Sequence, residues 1–426
     1  MTPTARLAAA IDLLFAMEDA PRRPADAVAN NFFRERRYIG GGDRRAVSAQ
    51  VWAVLRQWRR LAWWIGRAGG EVTPRLLVAA QSVLEGRPAE SLQRAFSGGR
   101  YAPDPLDPAE TRVLRALEGH TLHHPAMPEA VRLEVPDWLL PSLRAQFGDG
   151  AAAEIEALGA PATLDLRVNL LKATRDQARE ILAADGIAAE PTPLSPWGLR
   201  VPSRQPVTAS RAFRDGLVEI QDEGSQLVVE ALGAAPEMRV ADYCAGAGGK
   251  TLGVAMCMEN RGHIVACDVS AARLEGAVKR LRRAGIHNVE RHLLEAGDKW
   301  AKRRAGSFDR VLVDAPCTGT GTWRRNPDAR LRLRPEDLAE LVAKQASILR
   351  AAAKLVKPGG RLVYATCSVL REENEAQLEG FLAETPGFER RPMPLSGFSQ
   401  PPEVLRLSPR SHGTDGFFAA LLERTA

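Results

Sequence analysis

The stretch Arg239-Val-Ala-Asp-Tyr-Cys-Ala-Gly-Ala-Gly-Gly-Lys-Thr251 decides the fold. A short apolar run ends on a carboxylate, and glycines 246, 248 and 249 separate it from a helical stretch over 249–258. Glycine adopts the backbone angles of a tight turn and lets a ligand approach the main chain. The helix that follows presents unpaired N–H groups at its start. Downstream the pattern repeats: His263–Asp268, Val289–Leu294, Arg310–Asp314 and Arg361–Thr366 are short apolar runs, mostly separated by helical stretches over 271–284 and 337–356. Strand–helix alternation of this kind predicts an α/β protein with a doubly wound, mostly parallel sheet. Ligands of such sheets bind outside the carboxyl ends of the strands, so chemistry is expected there.

Three ligands compete for the glycine loop. A phosphate-binding loop of the G-x-x-x-x-G-K-[ST] type fits Gly249-Lys250-Thr251, but its first glycine falls on Cys244. A dinucleotide fingerprint starting at Gly246 requires glycine or alanine where Thr251 stands. The third is S-adenosylmethionine, held by a looser acidic-x-x-x-Gly-x-Gly loop. Asp268 closes the second run, where a carboxylate can accept both hydroxyls of a ribose.

Upstream, residues 161–220 read as a small α+β unit. Thr163–Leu170 and Leu217–Ile220 are strand candidates, and Thr174 with Gln177 has the spacing of a capping box. Residues 1–67 read as helices, over Arg6–Ala16 and Asp43–Trp64, where Val47, Val51, Val54, Leu55, Trp58 and Leu61 recur at helical spacing. Prolines at 103, 105, 108, 125, 128, 136 and 141 suggest a linker or domain edge. The expected domains are 1–140, helical with the linker; 141–225, small α+β; and 226–426, the large sheet.

The composition limits the possible partners and compartment. A chain of 426 residues with 45% hydrophobic and 26% charged residues is neither disordered nor collagen-like. Net charge is +6, carried by arginine, since only eight of the 58 basic residues are lysine. Residues 22–60 hold ten arginines against Asp26, Glu35 and Asp43, and 273–304 hold ten basic against four acidic residues. Arg324, Arg325, Arg330, Arg332 and Arg334 follow closely. Such patches suit a polyanion such as RNA; solvated helix faces in an arginine-rich proteome are the plainer alternative. No apolar run approaches a membrane span, and the N-terminal stretch is broken by Asp12 and Glu18, unlike a signal peptide. Five cysteines without a CxxC spacing oppose a disulfide framework and a structural zinc site, so the reducing cytosol and no metal are expected.

Cys317, in Asp314-Ala-Pro-Cys-Thr-Gly-Thr-Gly321, and Cys367, in Thr366-Cys-Ser368, fall at the carboxyl ends of the fourth and fifth runs. A buried cysteine is commonly inert, but two at neighbouring strand ends suit a thiolate nucleophile. The residues alone do not say which one attacks.

These motifs, with Thr366-Cys-Ser-Val-Leu-Arg-Glu-Glu-Asn-Glu375, resemble the paired motifs of the Nop/Sun family of RNA cytosine-C5 methyltransferases. The glycine loop is similar to that family's Cys-Ala-x-Pro-Gly-Gly-Lys-Thr, with Ala247 in place of the proline. Arg167-Val-Asn-Leu-Leu-Lys172 resembles the small RNA-contact unit, and Gln221-Asp-Glu-Gly-Ser-Gln226 its lead-in to the catalytic domain. Arg325-Asn-Pro-Asp328 and His412-Gly-Thr-Asp-Gly-Phe-Phe418 match as well. The likeness spans about 160–426, and residues 6–65 more loosely resemble the NusB-like domain of the branch that methylates 16S ribosomal RNA.

The resemblance implies a Rossmann-like methyltransferase sheet preceded by an α+β RNA-contact unit and an all-α NusB-like domain. It implies methyl transfer from S-adenosylmethionine to cytosine C5 in RNA, through a bond between Cys367 and C6. Cys317 would assist product release, Asp314 would hold the cytosine edge near the cofactor, and Lys250 would touch the cofactor or polarise the site. Cys244, Ala245, Gly246, Ala247, Gly248, Gly249, Lys250, Asp268, Arg273 and Asp314 are the expected cofactor residues. Glu295 and Asp298 compete for the adenine. The expected protein is a cytoplasmic monomer that takes single-stranded or flipped-out cytosine. A tRNA methyltransferase and a non-catalytic ribosome-assembly factor are the alternatives.

Overall fold

The computed structural model describes every residue except Ser203, Arg204, Ala296, Asp298 and Ala426. The chain divides into two compact units: 1–160 with 323–334, and 161–322 with 335–426.

Two sheets make up the second unit. The smaller is antiparallel, with strands β1 (Leu164–Val168), β2 (Glu190–Pro191), β3 (Gly198–Val201) and β4 (Val218–Ile220) in the order β2-β3-β1-β4. Helix Arg175–Ala184 covers it and starts at the capping box of Thr174 and Gln177. Leu166, Val168, Ala178, Leu182 and Leu199 fill the space between them.

The larger sheet contains β5 (Arg239–Asp242), β6 (His263–Asp268), β7 (Val289–Leu293), β8 (Phe308–Asp314), β9 (Val356–Thr366), β10 (Phe388–Arg391), β11 (Leu405–Leu407) and β12 (Phe417–Arg424). Its order is β10-β12-β9-β8-β5-β6-β7, with β11 paired to β12. The strands from β7 to β9 are parallel, and β12 returns antiparallel against β9. Val240, Ala241, Ile264, Val265, Leu312 and Val363 are fully buried, because helices cover both faces. That is why these strands read as continuous apolar runs. Edge strand β7 is half exposed. The helix expected over 337–356 runs over Pro335–Ala353, because Val356 already pairs with Phe308 at the start of β9. From β5 the chain builds outward to β7, then returns to β8 on the other side of β5. This reversal opens a crevice at the carboxyl ends of the strands.

The first unit is helical around a core that includes Leu13, Leu14, Val47, Val51, Val54, Leu61 and Leu77. The single helix expected over Asp43–Trp64 is two, Gly41–Arg56 and Trp58–Arg67. Buried Glu134 accepts from the backbone N–H of Arg59 and Arg60, satisfying the start of the second helix. The proline-rich stretch is no linker. It folds into helices Pro108–Leu117, Glu129–Arg132 and Leu140–Phe147, and Val113, Leu114 and Leu117 join the core. Pro108 and Pro141 stand in first turns, where proline fits.

Residues 323–334 leave the large sheet's unit after Thr322 and belong to the helical one. Trp323 is fully buried. Arg330 donates to the Arg56 carbonyl at 2.7 Å, and Arg56 donates to the Arg324 carbonyl at 2.7 Å. Arg324 and Arg330 are buried, and Arg332 pairs with Asp328 at 2.9 Å. These three of the arginines expected to grip phosphate are therefore occupied within the protein.

Candidate active site

At the carboxyl ends of β5, β6, β8 and β9 lies a cavity of about 800 Å³. Its walls include Cys244, Ala245, Gly246, Ala247, Gly249, Lys250, Asp268, Arg273, Glu295, Asp314, Cys317 and Cys367. Gly248 does not line it. With φ at +78° it starts helix Gly249–Cys257, and a Cβ there would press on Ala277 at 3.2 Å. Of the two carboxylates expected at the adenine, Glu295 lines the cavity, and Asp298 lies outside the described residues.

The glycine loop is held from both sides. Asp268 Oδ2 accepts from the Gly246 N–H at 2.9 Å, and its Oδ1 accepts from the Ser270 N–H at 2.8 Å. Arg280 donates to the Ala247 carbonyl at 2.7 Å, and Arg167 to the Gly249 carbonyl at 2.9 Å. Arg167 also donates to Gln221, and burial pulls its guanidinium down to about 10. Asn169 donates to the carbonyls of Gly216 and Ala284, and Lys172 to those of Asp215 and Arg283. The motif that resembles an RNA-contact element thus spends its polar groups within the protein, Arg167 on the glycine loop and Asn169 and Lys172 on the end of helix Ala271–Ala284. Arg280 and Arg283 are similarly engaged, both pairing with Glu219.

Lys250 Nζ lies 2.7 Å from Asp314 Oδ2 and 5.4 Å from the centre of the Phe417 ring. Cys317 and Cys367 lie side by side, Sγ to Sγ 3.4 Å. The hydrogen bond with Cys367, followed by burial, raises the Cys317 thiol well above the usual thiol range. Burial does the same for Cys244 and pushes Cys257 to about 12.

Buried Glu373 holds the Cys317 loop. It accepts from the Thr318 N–H at 2.8 Å, the Thr318 hydroxyl at 2.5 Å and the Gln345 amide at 2.9 Å. Gln345 also donates to the Pro316 carbonyl at 2.9 Å. Asn374 secures the other thiol's turn, accepting from Thr366 Oγ1 at 2.5 Å and donating to the Ser368 carbonyl at 2.9 Å. The turns touch where the Gly321 N–H donates to the Cys367 carbonyl at 2.9 Å. A Cβ on Gly321 would meet the Gly416 carbonyl at 2.0 Å, so only glycine fits.

Sequence reasoning missed several wall residues. Lys344, Ser347, Ile348 and Ala351 form one stripe of helix Pro335–Ala353, and Val269 and Leu294 add apolar surface. The i, i+3, i+4, i+7 spacing of the stripe was visible, but it reads equally as core packing. The described residues contain no group of three or more His, Cys, Asp or Glu able to hold a metal, and no helix long and apolar enough to cross a membrane.

The walls fit S-adenosylmethionine. Each Asp268 oxygen uses one lone pair on a backbone N–H, which leaves capacity for ribose hydroxyls. Val269, Leu294 and Ile348 offer apolar surface for an adenine, and the helix after the glycine loop points its N-terminus into the site.

Strand order, glycine loop and paired thiols define the class: a Rossmann-like, S-adenosylmethionine-dependent methyltransferase. A family model described as 16S rRNA methyltransferase RsmB/F matches residues 229–423, and the RsmF/B-like ferredoxin-like domain matches 135–208. The probable ribosomal RNA small subunit methyltransferase B of Bacillus subtilis is 33% identical over 73% of this chain and 72% of its own. The ribosomal RNA small subunit methyltransferase B of Xylella fastidiosa strain 9a5c is 36% identical over 89% of this chain and 91% of its own. The crystal structure of PH0851 superposes with a TM-score of 0.82 at 27% identity, covering 100% of this chain and 99% of that one. The chain belongs to the RsmB/F family of RNA methyltransferases.

Proposed function

We propose that the protein transfers a methyl group from S-adenosylmethionine to C5 of a cytosine in 16S ribosomal RNA, through a covalent Cys367–C6 adduct. The observation that carries the chemistry is the pair of sulfurs 3.4 Å apart, beside the Lys250–Asp314 pair and in one cavity with the glycine loop. The names of the relatives support the choice of RNA.

When bound, the cofactor supplies an electrophilic methyl group on a sulfonium. Cytosine C5 is too weak a nucleophile to take it unaided. The Cys367 thiolate adds to C6, and the displaced electron pair makes C5 enamine-like. S-adenosylmethionine held by the glycine loop and Asp268 would supply the methyl group that C5 takes up, and would keep the electron pair of the broken S–CH3 bond. The C5 proton then passes to water at the cavity mouth, the C5–C6 double bond reforms, and the C6–S pair returns to Cys367. In this reading Asp314, whose Oδ2 is bonded by Lys250, accepts from the cytosine N4 amino group.

The resemblance makes Cys367 the nucleophile, and with the sulfurs 3.4 Å apart Cys317 is within reach to donate its S–H to the departing sulfur in the elimination. Lys250 orients Asp314, and Glu373 and Asn374 position the two thiols. We further propose that the protein works as a cytoplasmic monomer, with the helical unit adding RNA affinity.

The test uses both single variants, labelled RNA and denaturing gels. Cys367→Ala should form no adduct and transfer no methyl group. Cys317→Ala should attack, methylate once and stall as a covalent protein–RNA complex. An adduct trapped by Cys367→Ala and none by Cys317→Ala would reverse the assignment, and adducts from neither would remove the covalent step.

A further inference from the structure

The helical unit carries a second cavity, of about 420 Å³, which the methyl-transfer chemistry does not use. Among the described residues, three phenyl, phenol or indole side chains are exposed: Phe15, Tyr38 and Tyr101, at 40%, 76% and 63%. All three line this cavity. They come from distant stretches of chain, so nearness in sequence does not explain the grouping. Exposed rings gathered in one concave place mark a binding surface.

Charge selects the occupant. Arg36, Arg75 and Arg100 line the same cavity against Asp12 and Asp104, and the Arg36 pair with Glu35 is a loose, exposed one at 3.6 Å that solvent screens. The Arg36 guanidinium lies 3.9 Å from the centre of the Phe32 ring on the cavity wall, and that of Arg100 lies 5.2 Å from the centre of Tyr101. The stretch 22–60, which supplies Tyr38 and Arg36, holds ten arginines against three acidic residues. Flat rings interleaved with guanidinium groups match the faces of unpaired bases and their phosphates, and the arginine excess of this stretch favours a polyanion. Asp12, also on the wall, offers an acceptor for the amino group of a base.

We propose that this cavity seats an unpaired nucleotide of the substrate RNA, its base against Tyr38 and Tyr101 and its phosphates on Arg36 and Arg100. The proposal rests on the reading of the substrate as RNA. It gives the helical unit an anchor for a base other than the methylated cytosine.

The test compares the full-length protein with Tyr38→Ala/Tyr101→Ala and Tyr38→Phe/Tyr101→Phe. Both side chains are exposed, and thermal melting confirms that the variants fold. The alanine pair should raise the dissociation constant for a short single-stranded RNA roughly tenfold or more, the scale of lost base stacking. The phenylalanine pair keeps the rings and should bind nearly as the parent does. Photo-crosslinking with 4-thiouridine RNA should label peptides containing Tyr38 and Tyr101. Unchanged affinity without cross-links overturns the proposal, whether or not the protein methylates RNA. So does a parent dimer, seen by sedimentation, that the alanine pair dissociates without loss of RNA affinity; the face then joins copies of the chain. Cross-links in a protein that transfers no methyl group to RNA would uphold the nucleotide site and defeat the proposed reaction instead.

Discussion

Asp242 ends β5 directly beneath the glycine loop and is fully buried. Thr251 Oγ1 donates to its Oδ2 at 2.6 Å, while Oδ1 finds no partner among the described residues. Burial pushes this carboxyl from 3.8 up to about 7, against the lowering effect of the Thr251 bond. A carboxyl raised in the folded state holds its proton there longer than in the unfolded chain. Stability is then lost as pH climbs from about 4 to about 7, and the loss is complete above that. Asp242→Asn stays neutral at every pH and can still accept from Thr251. Its melting temperature relative to the parent should therefore rise across that window and level off beyond it. Parallel melting curves for the two proteins throughout would show that Asp242 stays ionised, with its charge compensated in some other way.

At the scale of elements, the segment 323–334 is the part that departs most from its sequence reading. Helix Ala25–Glu35 begins after Pro24, which has no side-chain oxygen to cap it. The cap comes from Asp328, whose Oδ2 accepts from the Ala25 N–H at 3.1 Å across 303 positions. Asp328→Ala should cost about 1 kcal/mol, the usual worth of such a cap, and lower the melting temperature of the helical unit. Asp328→Asn keeps an acceptor and should recover most of it, although the pair with Arg332 is lost. Equal destabilisation by both variants would assign the role to the ion pair. No local pattern could reveal this cap, because its acceptor, Asp328, lies 303 positions from the donor. The strands β5 to β9, the capping box at Thr174 and the two thiols were legible, since periodicity, capping and strand ends are local features. Lys344 and the anchoring of Arg167, Arg280 and Arg330 were not. An arginine that will bond a buried carbonyl looks the same in sequence as one that will meet phosphate.

Across the whole molecule that ambiguity becomes a question about charge. The net +6 counts every arginine alike, yet Arg167 and Arg330 are buried, Arg200 pairs with Asp165 and Glu223, and Arg280 and Arg283 share Glu219. RNA affinity should draw on exposed arginines such as Arg282 on the same helix. Each phosphate contact on a single strand contributes about 0.7 to the slope of log affinity against log salt. Arg282→Ala should flatten that slope by about this much and leave cofactor affinity alone. Arg280→Ala should do the opposite. Its loss frees the Ala247 carbonyl, loosens the glycine loop and weakens S-adenosylmethionine binding, while the salt slope for RNA holds. Titrations of both ligands at several ionic strengths check this. If Arg280→Ala flattens the RNA slope and spares the cofactor, the helix over 271–284 meets the RNA with its whole basic face, and the bond to Ala247 is incidental.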